Sequence, residues 1–125
     1  MILSVKLRLK FSTTVGTNPF TTHGNLAVDL NKGPFNGDAT LQNADFQASA
    51  SKSGGLTVPN TPVSGWYSAS LSSTNFSYIN LIGVTQLRLR FALDDNDDLN
   101  EDYIAFNSGN ATADRPQLII TYSIP

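Results

Sequence analysis

The chain has 125 residues, a length that corresponds to one domain. Ser, Thr and Asn account for 37 of them, charged residues for only 14%, and the net charge is −2. No basic cluster exceeds alternating pairs on a strand, which argues against nucleic acid or an anionic membrane as partner. No apolar run approaches the roughly 18 residues of a membrane span. The first residues lack the basic-then-apolar plan of a signal peptide, so an export signal is expected outside this segment. The absence of Cys excludes disulfides, thiolate metal sites and cysteine nucleophiles.

The dominant period is two, the signature of strands. Residues 2–11 place Val5, Leu7, Leu9 and Phe11 on one face and Lys6, Arg8 and Lys10 on the other. Shorter strands are expected at Asn25 to Leu30, Ala39 to Leu41, Leu56 to Val58 and Gly65 to Leu71, divided by turn chemistry such as Lys32-Gly33-Pro34, Asn36-Gly37-Asp38 and Ser53-Gly54-Gly55. A single helical turn fits within Ala44 to Lys52. Residues 84–93 repeat the opening pattern, with Leu87, Leu89, Phe91 and Leu93 opposite Gln86, Arg88 and Arg90. The basic faces of both long segments are expected to be wet. Asp102 to Phe106 and Gln117 to Tyr122 close the series, and the last, apolar on both faces, is expected to be buried on both sides or to lie beside another sheet. Many short strands with Gly, Pro and Asn punctuation predict an all-β, jelly-roll-like antiparallel sandwich of about eight to ten strands, a single module over residues 1–125. Strand follows Met1 immediately while the chain stops just after a strand, so it reads as the C-terminal part of a larger exported protein or as a subunit that docks by its edges.

Three stretches carry a family resemblance: Ile2 to Lys10 (ILSVKLRLK), Gln86 to Phe91 (QLRLRF) and Arg115 to Tyr122 (RPQLIITY). Together they resemble the DNRLRE or disaggregatase-related β-sandwich modules, most strongly over Leu81 to Pro125. The resemblance implies a secreted or cell-surface module, often C-terminal, and some such modules bind carbohydrate. The strands that usually precede the Lys-Leu-Arg-Leu strand are missing here, and an acidic segment replaces a Ser-Arg-Glu type sequence.

That segment holds six of the ten acids, Asp94, Asp95, Asp97, Asp98, Glu101 and Asp102, within nine residues. Asp94, Asn96 and Asp98 alternate as at the start of a calcium loop, and Asp102 follows. These four are the candidate metal ligands, and an all-oxygen set suits Ca²⁺, a hard cation taking six to eight oxygens. Two EF-hand requirements are unmet: Leu99 stands in the glycine position and Ala105 in that of the bidentate Glu. The alternative reading is a solvated turn whose charges discourage edge pairing.

Carbohydrate modules stack sugars on exposed aromatic faces, so Trp66, Tyr67 and Tyr78 are the candidate ligand-binding residues. As strand neighbours, Trp66 and Tyr67 face opposite ways. A lone Trp often anchors a small core, which makes Tyr67 and Tyr78 the better platforms. His23 has no second His or Cys to complete a site, and no Ser sits in a Gly-x-Ser-x-Gly turn. The expected function is non-catalytic binding or adhesion outside the cell, with a polysaccharide or a neighbouring protein module as partner. The alternative is a structural subunit that self-assembles through its sheet edges by strand complementation into a filament or array.

Overall fold

The computed structural model describes residues 1–125. Seven strands form two antiparallel sheets packed face to face, an all-β sandwich. They are β1 (Ile2–Val15), β2 (Leu26–Lys32), β3 (Lys52–Val58), β4 (Trp66–Ser70), β5 (Thr85–Phe91), β6 (Tyr103–Phe106) and β7 (Gln117–Tyr122). Seven is below the expected eight to ten, because Ala39 to Leu41 is not a strand. There Asp38 Oδ1 accepts the Thr40 N–H at 2.8 Å, an Asx turn that diverts the backbone. One short helix, α1 (Pro19–Thr22), and three 3₁₀ turns, at Phe35–Gly37, Asn43–Phe46 and Ser73–Tyr78, complete the chain.

Strand β1 organises the larger sheet, pairing with β4 along one edge and with β7 and then β6, end to end, along the other. The smaller sheet runs β3-β2-β5. Alternation places Val5, Leu7 and Leu9 inward against Leu26, Val28 and Leu30 of β2, with Leu56, Val58, Tyr67 and Ala69 alongside. The helix α1 is capped by Asn18, whose Oδ1 accepts the Phe20 N–H at 3.0 Å. It brings Phe20 onto Tyr67, rings stacked at 5.5 Å and 7°, at one end of the core.

Two expectations about exposure are corrected. Strand β7 is an edge strand, with Leu118 39% and Ile119 43% exposed. Of its inner face, Ile120 alone packs against the core. Conversely, the polar face of β5 is wet only in part. The segment 33–51 folds over it and leaves the Arg88 side chain 17% exposed, while that of Arg90 stays 43% exposed.

Beneath that segment Asp29 of β2 is 0% exposed. The β2–β3 register breaks between Val28 and Leu30, and this bulge turns Gly54, at φ +58°, so that its N–H donates to Asp29 Oδ1 at 2.7 Å. Arg88 reaches Asp29 Oδ2 at 2.7 Å and Arg90 at 3.0 Å, the two ion pairs of the chain. The remaining Arg88 donor, Nη1, binds the carbonyls of Asp45 and Ala48, both at 2.7 Å, and its guanidinium lies 4.6 Å from the Phe35 ring centroid. Burial raises the Asp29 carboxyl. Hydrogen bonds from Arg90, Gly54 and Arg88, with the Arg90 charge, more than offset this and hold it at about 2, below the usual 3.8.

Candidate functional site

The outer face of the β1 sheet carries the most distinctive surface. The residues opposite the core positions of β1 are Lys6, Arg8 and Lys10. Across the ladder Lys6 pairs with Ser70 and Ile119, Arg8 with Ser68 and Gln117, and Lys10 with Trp66. Since alternate strand residues stand about 6.6 Å apart, the three cations form a straight row. None has an ion pair, because both ion pairs end on Asp29. Arg8 Nη1 donates to Gln117 Oε1 at 3.1 Å and Lys10 Nζ to the Ser64 carbonyl at 3.0 Å.

Trp66 reaches this face through a tight turn. Val63 and Trp66 exchange backbone hydrogen bonds at 2.9 and 3.0 Å around Ser64 and Gly65, both at positive φ (+51° and +79°). Positive φ at both central residues is the signature of a type I′ hairpin turn, and Gly65 meets that demand without steric cost. The half-buried Trp66 lies under the cations, with the Arg8 guanidinium carbon 4.2 Å and Lys10 Nζ 5.5 Å from the ring centroid, inside cation–π range. Lys6, Arg8, Val63, Ser64, Trp66, Ser68 and Ile119 enclose a groove of about 480 Å³.

The assignment of the aromatics is therefore the reverse of that expected. Trp66 is the surface ring, and Tyr67 is the core anchor, 5% exposed, its face taken by Phe20 and its edge by Phe106 at 5.6 Å. Tyr67 offers no free platform, and burial pushes its phenol above the usual 10.0. Tyr78 is half-buried and packs against the core from the 3₁₀ turn that follows β4. His23 Nδ1 lies 2.7 Å from Thr22 Oγ1, and its ring packs against Phe91.

The acidic loop joins β5 to β6 and is anchored at the far end of β1. Asp102 Oδ1 accepts the Thr17 N–H at 2.7 Å. Gly16 fits there because a Cβ would strike the Glu101 carbonyl. Within the loop, Asp95, Asn96 and Asp98 each accept the backbone N–H two residues on, a run of Asx turns. The Asn96 amide contacts Asp98 Oδ2 at 3.1 Å and Asp102 Oδ2 at 3.4 Å. Three of the four candidate ligands are thus neighbours, while Asp94 stands apart in solvent. The oxygen donors suit Ca²⁺, although no three carboxylates converge. Leu99, in the glycine position of the EF-hand pattern, adopts φ +60°.

Sequence reading missed Asp29. Its signal is an acid inside the apolar run Leu26 to Leu30, but its partners Arg88 and Arg90 lie 59 and 61 residues away. Comparison with protein families, characterised proteins and solved structures finds no match to this chain.

Proposed function

We propose that this domain is a non-catalytic extracellular binding module that holds a polysaccharide on the outer face of the β1 sheet. The observation carrying this reading is Trp66, a half-buried indole lining an open groove, with Arg8 and Lys10 over its ring and Lys6 on the groove's rim, none of them in an ion pair. An aromatic face stacks on the C–H side of a sugar ring, and Lys6, Arg8 and Lys10 favour chains bearing carboxylate or sulfate. Calcium braces the acidic loop in this reading, through Asn96, Asp98 and Asp102 with Asp94 drawn in.

Binding to a panel of neutral and acidic polysaccharides tests it. A hit is expected that Trp66→Ala weakens about tenfold or more, the scale of one lost stacking contact, with the circular dichroism unchanged. A blank panel, or binding indifferent to Trp66→Ala, overturns it.

The open edges of β5 and β7 favour a second reading. Half-exposed Leu118 and Ile119 flank an unpaired ladder. Such an edge suits addition of a strand from a neighbouring copy.

A further inference from the structure

Leu99 is a fully exposed, branched apolar side chain at the crown of the acidic loop, held at φ +60°, where L-residues other than Asn and Asp are rare. Asp97, Asp98 and Glu101 surround it in sequence, and none of the loop acids forms an ion pair. The groove of Trp66 presents the complement: Val63, Trp66 and Ile119 supply apolar walls, and Lys6 and Arg8 supply unpaired positive charge. An apolar knob ringed by carboxylates thus faces its counterpart, an apolar hollow rimmed by cations.

We propose that the acidic loop of one copy docks into the Trp66 groove of a second copy, with Leu99 entering the groove and the loop acids meeting Lys6, Arg8 and Lys10. The occupant must come from another molecule. The loop is fastened beside Gly16, eight residues along β1 from Arg8, or about 26 Å of extended strand, so it cannot fold back to its own groove. The two surfaces differ, so the contact is heterologous, and it builds a ring where the rotation between copies closes and an open chain where it does not. Its small groove makes it a weak contact, formed at high concentration. This inference does not require the polysaccharide reading, but the two ligands would compete for one groove.

Sedimentation velocity of the full chain tests it. In about 0.02 M salt the mean mass should rise with concentration, and at about 1 M salt, where the screening length falls to about 3 Å, it should return to the monomer. Arg8→Glu spoils the groove and leaves the loop intact. Asp98→Lys does the reverse. Each variant alone should stay monomeric, while an equimolar mixture should form one-to-one dimers that grow no further. Leu99→Gly, which keeps the left-handed backbone without the side chain, should abolish growth. The emission of Trp66, the sole tryptophan, should shift to the blue on docking. A monomer at every concentration in low salt overturns the proposal, as does growth that survives Arg8→Glu or Leu99→Gly. Polysaccharide binding retained by Leu99→Gly would leave the module reading standing whatever the fate of the docking.

Discussion

Asp29 is the residue on which the covering layer depends. Its carboxylate collects Gly54 from β3 and Arg88 and Arg90 from β5, and Arg88 in turn ties down the backbone of 45–48. The folded value, about 2, lies below the ordinary 3.8, so the stabilisation it represents is fully present above about pH 4 and is lost as pH falls through about 2. Its size is about 2 kcal/mol. Asp29→Asn should therefore be less stable than the parent at neutral pH, with the gap closing by about that amount between pH 4 and pH 2; denaturant titrations at the two ends check it. A constant gap across that range would show that the charge plays no such part. An acid within an apolar strand was visible in the sequence. Its meaning was not, because the bulge that aims Gly54 at it and the distant arginines are products of the tertiary fold.

At the scale of elements, the acidic loop gathers six like charges, none of them in an ion pair, and like charges so close repel. A cation shared by Asn96, Asp98 and Asp102 would relieve that repulsion and stabilise the folded state in proportion to its binding. Adding calcium to EDTA-treated protein should raise the melting temperature, and Asp98→Asn should blunt the rise; an unchanged melting curve removes the metal. Strands β1 and β5 were legible from their alternation, but only in β1 does it report burial directly, since residues 33–51 cover much of the polar face of β5. It failed for β7, whose apolar residues on both faces signalled double burial or a neighbouring sheet, whereas Ile120 alone packs against the core. It also could not orient Trp66 and Tyr67, since period two says that neighbours face opposite ways but not which way, and the expectation of a core Trp was the wrong choice. The Ser64-Gly65 turn and Phe20 settle that choice.

For the whole molecule, the sandwich is closed on its β3–β4 side and open on its β5–β7 side. The centre of β1 and residues 26–30 of β2 are flanked by strands on both edges, whereas β7 holds the sheet through β1 alone. Hydrogen exchange of the dilute protein should accordingly leave β2 protected longest and release β7 amides early. If copies join through their edges, β7 should gain the most protection as concentration rises; if they join loop to groove, the largest gain should fall in residues 94–102.

The ends of the chain add a mechanical consequence. The Met1 amino group binds the Ser123 carbonyl at 2.8 Å and the Ser123 N–H returns to the Met1 carbonyl at 2.9 Å, so both ends lie at one end of the β1–β7 ladder. Tension applied to the two ends would load the outermost bonds first and open the ladder one rung at a time, as a zip opens. It would not load all the rungs together in shear. A domain pulled in this way peels apart under low force, whereas a load entering through Trp66 and the loops would leave the first and last strands joined.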